Sequence, residues 1–316
     1  MRSAPGTLSQ AERRMLEERV RGYQVVREIG RGGMGVVFLA RDVALHRMVA
    51  IKVLRHELLS SDDQRERFRQ EARLTARLND DGIVAVHGFG EQDDLVYIVM
   101  EYVRGEPLSK RLLHGGRTRP LPYDETRHIL AALARTLEHA HRCGVVHRDL
   151  KPENVLLASD SGRPLLTDFG VALSRSADPL PSEHARAFGT PQFMSPEQAA
   201  GELDLDGRSD VYSLGVLGYL MVTGELPFAA SHFAALASKH ISEMPVPVRE
   251  RASGVPRDLA NVIDRCLEKD PSRRFAAAGD IIQHLTGVAR QQKRNAAVSW
   301  FGRVAIMAAA VGGLVR

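Results

Sequence analysis

The run His147-Arg148-Asp149-Leu150-Lys151-Pro152-Glu153-Asn154, followed by Asp168-Phe169-Gly170, constrains this chain more than any other feature. Two short loops spaced in this way offer one candidate base, Asp149, one cation, Lys151, and two hard oxygen donors, Asn154 and Asp168. Phosphoryl transfer from a nucleotide asks little covalent chemistry of a protein. It asks that the nucleophile be aligned and the phosphate charge neutralised, and these four side chains are of the types that do both. The fold must therefore be one that brings two loops to the same cleft.

Upstream, Tyr23 to Ile29 alternates apolar and polar residues and leads into Gly30-Arg31-Gly32-Gly33-Met34-Gly35-Val36-Val37-Phe38-Leu39-Ala40, which reads as strand, glycine turn, strand. A dinucleotide fold needs a helix opening on its glycines. Here Val36 to Leu39 is β-branched and aromatic, so the glycines cap a hairpin. Met48 to Leu54 is the next strand and sets Lys52 among Val49, Ala50, Ile51 and Val53. A helix is expected over 62 to 78, with Asp62 and Asp63 in its first turn and Phe68, Glu71, Leu74, Thr75 and Leu78 on one face. A carboxylate on an apolar face is costly unless paired, and Lys52 is its obvious partner. Ile83 to Val86 and Leu95 to Tyr102 complete a five-stranded sheet, and residues 103 to 107 break the pattern. Helical patterns follow at Thr126 to Cys143, Ser209 to Thr223, Phe233 to His240, Pro256 to Leu267 and Ala276 to Ala289, separated by turns containing Pro or Gly.

In chain order these are a Gly-rich loop, Ala50-Ile51-Lys52, the catalytic-loop phrase, Asp168-Phe169-Gly170 and Ser195-Pro196-Glu197. The sequence thereby resembles the bacterial Hanks-type (eukaryotic-like) serine/threonine protein kinase catalytic domain over residues 23 to about 287. The resemblance implies an α+β, two-lobed protein kinase fold, with a small β-rich N-lobe carrying one key helix and a larger α-helical C-lobe. It divides the chain into an N-terminal extension (1–22), N-lobe (23–103), C-lobe (104–287) and a basic segment with an apolar tail (288–316).

The same resemblance implies the roles. Asp149 orients the acceptor hydroxyl, Lys151 neutralises the transferring group, and Lys52, held by Glu71, meets the α- and β-phosphates of ATP. The resemblance sets the nucleotide against Ile29, Gly30, Arg31, Gly32, Gly33, Met34, Gly35, Val36 and Lys52, with Val37, Ala50, Leu156 and the backbone of Glu101 to Val103 around the adenine and Met100 behind it. Asn154 and Asp168 hold Mg2+. Phe169 packs between the lobes. Lys151 and Thr190 point to Ser or Thr as the acceptor on protein substrates, and a homodimer would serve autophosphorylation. Glu197 is expected to pair with Arg274, and Asp210 to brace the catalytic-loop backbone. The segment 171 to 194 carries Ser174, Ser176 and Ser182 but no threonine before Thr190, so Ser182 is the leading partner for Arg148 if a phosphate switch operates. Ser195 stands where the family usually has alanine. Two alternatives stay open: a pseudokinase that binds nucleotide without turnover, and a small-molecule kinase of related fold, against which the Thr190 to Glu197 segment argues.

Composition narrows the remaining classes. A net charge of +4 with interspersed signs gives no nucleic-acid surface. Cys143 and Cys266 lie too far apart in sequence for a metal pattern and suit a reducing compartment, with Cys143 expected to be buried and inert. Residues 1 to 10 lack the apolar core of a signal peptide, so the catalytic part is expected in the cytoplasm. From Ala296 to Val315 the chain is mostly apolar behind Arg290, Lys293 and Arg294, but Ser299 and Arg303 interrupt it. An arginine within a span costs roughly 2.5 to 3.5 kcal/mol on insertion. Attachment of residues 296–315 to the inner membrane and a tail docked on the protein both remain open.

Overall fold

The computed structural model describes residues 18–32, 35–54, 62–92, 95–169 and 191–285. The first half is an antiparallel sheet of β1 (Tyr23–Gly32), β2 (Gly35–Asp42), β3 (Arg47–Leu54), β4 (Val86–Gln92) and β5 (Leu95–Glu101) in the order β1-β2-β3-β5-β4. Val37 stands opposite Lys52 and Ala50 opposite Met100. Because side chains alternate along a strand, Val37, Ala50 and Lys52 share the face toward the cleft, while Val49, Ile51 and Val99 pack on the other with Val20 and Ala40.

The fourth strand differs from expectation. Val86–Gln92 forms it, not Ile83 to Val86, and Ile83 makes only an isolated bridge to Leu166. Gly88 and Gly90 lower the strand propensity of this stretch and hide it from a pattern reading. Gly90 fits because an added Cβ would run into the ring of Tyr97 on β5.

Helix α1 spans Asp62–Thr75, ending a turn earlier than expected. Its buried face includes Ala72 and Thr75, and Leu74 is exposed, so the predicted stripe is rotated toward Ala72.

The second half is mostly helical: α2 (Leu108–Leu112), α3 (Tyr123–Arg142), α4 (Pro196–Ala199), α5 (Gly207–Thr223), α6 (Phe233–Ser242), α7 (Val248–Arg251), α8 (Arg257–Cys266) and a last helix from 278 to 285. Every residue of α5 from Ser209 to Val222 is buried, as expected of a helix that is apolar all round. Gly215 lets α8 approach: an added Cβ would lie 2.6 Å from that of Cys266. The large core runs from Leu78 through α3, α5 and α8 to Leu285. After β6 (Gly105–Pro107), two-residue strands β7 (Leu113–His114) and β8 (Arg117–Thr118) pair with each other. β9 (Val155–Ala158) pairs with β6 and with β10 (Pro164–Leu166). The stretch expected only to break the pattern at 103 to 107 thus ends in a strand. Ala158 and Leu165 pack with Ala50, Val84 and Met100, so one apolar cluster joins the halves across the cleft.

Cys143 is a correction. It caps the C-terminus of α3 and is exposed, with Sγ 3.9 Å from His139 Nε2. Helix α3 ends there, and the chain turns through Gly144 at φ 75° before going inward. Cys266 is the buried thiol, pushed up to about 12 by burial. Among the described residues, no helix is long and apolar enough to cross a membrane.

Candidate active site

The catalytic-loop residues sit between α3 and β9 in a backbone course set from beneath by Asp210. This carboxylate is fully buried on α5, and accepts from His147 N–H at 2.8 Å, from Arg148 N–H at 2.8 Å and from His141 Nε2 at 2.7 Å. Burial pushes its carboxyl up, but the bonds from His141 and the loop outweigh that and hold it below the usual carboxylate range. The anchor lets Arg148 adopt φ 65°, in the left-handed region that only a surrounding network sustains for a non-glycine residue. Asp168, on the second loop, is similarly twisted at φ 60°.

Asp149 is held by its neighbours. Lys151 Nζ lies 2.7 Å from its Oδ2, and Asn154 Nδ2 donates to the same oxygen at 3.0 Å and to the Asp149 carbonyl at 2.7 Å. Spending the Asn154 nitrogen in this way turns the amide's oxygen into the end left for a cation. The 3-10 turn Pro152–Asn154 brings Asn154 back over Asp149, and the Asn154 carbonyl accepts from Thr167 N–H at 3.0 Å, tying the two loops together. His147 Nε2 meets the Thr167 carbonyl at 3.1 Å and its ring lies 4.6 Å from that of Phe169. Phe169 is buried, as expected for a residue packed between the two halves.

Lys52, only 5% exposed on β3, places Nζ 2.7 Å from Asp168 Oδ1. Burial raises the Asp168 carboxyl, but the Lys52 ammonium outweighs it and the group stays below the ordinary carboxylate range. Asp168 is therefore ionised at neutral pH. Glu71 lies on α1, and its side chain falls outside the described residues, as do Gly33, Met34, Gly170, Ser174, Ser176, Ser182, Thr190 and the segment 288–316.

A cleft of about 510 Å³ opens beside this cluster. Ile29, Val37, Ala50 and Met100 line it from the sheet, Leu156 from β9, and Tyr102 and Val103 from the connection after β5. Gly30, Glu101 and Asp168 also reach it. Gly35 is held by steric need, since a Cβ there would collide with the Val53 carbonyl oxygen. Arg31 is turned toward Glu28, which it grips at 2.7 and 2.9 Å. Val36 pairs with Arg31 and Val53 at the tip of the sheet, and Gly32 closes the hairpin opposite Gly35.

The donor set suits a hard divalent cation. Among the described residues no group of three or more His, Cys, Asp or Glu could cage a metal, so an ion held by Asn154 and Asp168 would complete its shell with phosphate oxygens and water, the habit of magnesium.

The model of the protein kinase domain family matches residues 23–285. This chain belongs to that family. PknA of Mycobacterium tuberculosis, a serine/threonine-protein kinase, is 41% identical over 271 residues, covering 84% of this chain and 61% of that protein. A probable serine/threonine-protein kinase of Clostridium perfringens is 38% identical over 263 residues, covering 83% of this chain and 38% of its own length. The crystal structure of the PknI kinase domain of M. tuberculosis superposes with a TM-score of 0.68 at 31% identity, covering 85% of this chain and 96% of that one. The kinase domain seen here thus spans between about two fifths and three fifths of the curated relatives it matches.

Three residues of this kinase domain escape the motif reading. His141 completes the shell of Asp210, Ser209 donates to Glu197 Oε1 at 2.7 Å, and Gln198 Nε2 donates to the Arg148 carbonyl at 2.7 Å. Only Gln198 had a signal, the Ser-x-x-Gln spacing of a capping box, which α4 indeed carries. Ser195, the departure from alanine, uses its hydroxyl both in that box and toward Ser209 Oγ at 3.2 Å. Glu197 and Arg274 pair as expected, at 2.8 and 2.9 Å.

Proposed function

We propose that this chain is a serine/threonine protein kinase that transfers the γ-phosphate of ATP to hydroxyls of proteins, its own included. The observation that carries the reading is the arrangement around Asp149. An acceptor hydroxyl donating to its carboxylate would lie beside Lys151, whose charge offsets what builds on the transferring group. Lys52 and Asp168, in contact, would take the phosphate side, with Mg2+ on Asn154 and Asp168 supplying further charge neutralisation when bound. Ile29, Val37, Ala50 and Leu156 would sandwich the adenine, with the backbone of Glu101 to Val103 at its edge. Gly30 to Gly35, including Gly33 and Met34, would cover the phosphates.

The functional parts are taken as N-lobe 23–103 and C-lobe 104–287. The domain would work in the cytoplasm, and the basic flank before residues 296–315 supports attachment of that segment to the inner membrane. Fractionation of tagged full-length and 290-truncated protein after a carbonate wash tests this: equal solubility removes the anchor. Encounter of two copies would serve autophosphorylation.

The central test uses purified protein with labelled ATP and magnesium, alone and with a generic basic acceptor. Label is expected on Ser or Thr, falling by roughly 100-fold or more in Asp149→Asn while ATP still raises the melting temperature. A nucleotide-dependent rise in melting temperature without any transfer by the wild type would mark a pseudokinase instead.

A further inference from the structure

Gln198 occupies a position the kinase reading does not yet use. Helix α4 opens with a capping box in which Ser195 Oγ accepts from Gln198 N–H at 3.2 Å and Gln198 Oε1 accepts from Ser195 N–H at 2.9 Å. The box needs only the oxygen of the glutamine amide. The nitrogen points across to the catalytic loop and donates to the carbonyl of Arg148 at 2.7 Å. Both partners of the amide are backbone groups of fixed polarity, so a single orientation satisfies them.

That carbonyl belongs to the peptide unit from which Asp149 hangs. On its other side the Asp149 N–H reaches His147 Nδ1 at 3.3 Å, and the preceding Arg148 N–H is held by Asp210 Oδ1 at 2.8 Å. Arg148 sits at φ 65°, so rotation of this unit toward a relaxed backbone would swing the Asp149 side chain. Gln198 is the member of this clamp that comes from outside the loop and its α5 support. It lies just beyond the turn Pro191–Phe193, whose Phe193 carbonyl accepts from Ser213 Oγ at 2.7 Å on the same helix as Asp210.

We propose that Gln198 is a positioning residue for phosphoryl transfer: its amide registers the segment that follows Thr190 against the Arg148–Asp149 peptide and so fixes the direction of the base. The inference rests on the kinase reading and adds a route by which order in the acceptor-side segment sets the turnover rate without touching the nucleotide.

The test compares Gln198→Leu and Gln198→Glu with wild type in steady-state phosphorylation of a generic basic protein acceptor, from about pH 8 down to about pH 5.5. Leucine fills the volume but donates nothing to Arg148. It should lower kcat on the order of 10-fold at every pH, the rate equivalent of one unsatisfied hydrogen bond, and leave KM for ATP within about twofold. An ionised glutamate presents an oxygen to the Arg148 oxygen and should behave like leucine near pH 8. As pH falls, its neutral carboxyl regains an O–H donor toward Arg148 while the other oxygen still accepts from Ser195. The ratio of the glutamate variant to wild type should therefore climb several-fold, and the leucine ratio stay flat. A residue that only packs would give two flat ratios, and that result, or a leucine variant with wild-type kcat, overturns the proposal. A variant that loses the nucleotide-dependent rise in melting temperature together with turnover marks Gln198 as a folding residue and overturns it as well. Absence of transfer by the wild type would remove the kinase reading itself, and this inference with it.

Discussion

Arg274→Met removes the ion pair that pins the segment 195–198 to the C-lobe, together with the backbone contacts of the same guanidinium. Arg274 is 1% exposed, and all five N–H donors of its guanidinium are spent: two on Glu197 at 2.8 and 2.9 Å, and one each on the carbonyls of Glu268, Arg208 and Lys269 at 2.8, 2.8 and 2.9 Å. Methionine matches much of the volume but leaves Glu197 buried with Ser209 as its remaining side-chain donor and leaves three carbonyls without this partner. Removing one member of a buried pair costs about 3 to 5 kcal/mol. At about 2 to 4 °C per kcal/mol for a domain of 150–250 residues, the melting temperature should drop by about 6 to 20 °C.

The pH dependence has a definite sign. Burial raises the Glu197 carboxyl, and the Arg274 and Ser209 bonds outweigh it, so its folded value lies below its ordinary 4.5. A depressed carboxylate contributes stability that is fully present above the unfolded value and lost as pH falls through the folded one. In the variant the unpaired carboxyl is relieved by protonation instead. The gap between wild type and Arg274→Met should thus be widest at neutral pH and narrow on acidification, first above about 4.5 as the variant's raised carboxyl protonates and then below about 4.5 as wild type loses its paired carboxylate. Thermal unfolding followed by circular dichroism across that range is the assay. The double variant Glu197→Leu, Arg274→Met should recover part of the loss, because no charge is then buried alone. An Arg274→Met protein melting within about 2 °C of wild type at neutral pH would refute the reasoning.

Two further outcomes separate the roles of neighbouring residues. Gly35→Ala should lower the melting temperature by several degrees through its collision with Val53, whereas Gly32→Ala, with no atom of the described residues within 4 Å of the added carbon, should leave stability unchanged and raise KM for ATP; equal effects of the two on unfolding would remove the distinction. Lys52→Met should weaken the nucleotide-dependent rise in melting temperature and let the Asp168 carboxyl rise from its depressed value, so that the acid limb of binding moves to higher pH; an unchanged limb in calorimetric titrations would mean that Lys52 does not govern Asp168.

The chemistry of this protein is written locally. Asp149, Lys151 and Asn154 lie within one short loop, where spacing alone brings them within bonding distance, and the β-branched run Val36 to Leu39 tells a hairpin from a dinucleotide helix. The continuous apolar run around Lys52 and that of α5 likewise mark elements buried on more than one side. What holds that loop in place is not local. Asp210, His141, Ser209 and Gln198 act through contacts 12 to 69 residues away in sequence, and a single buried hydrogen-bond partner leaves no periodicity to read. The strand Val86–Gln92 stayed hidden because Gly88 and Gly90 lower its propensity, and at Gly90 the glycine answers to closeness to Tyr97 on β5, a tertiary demand that contradicts intrinsic strand propensity. The exposure of Cys143 was likewise decided by where α3 ends in space, since the same residue one turn earlier would face the core. Sequence thus determined which groups share the catalytic-loop phrase, through short-range spacing and patterning; tertiary structure alone decided how the Arg148–Asp149 peptide is held, because that is fixed by bonds between elements that the chain brings together only on folding.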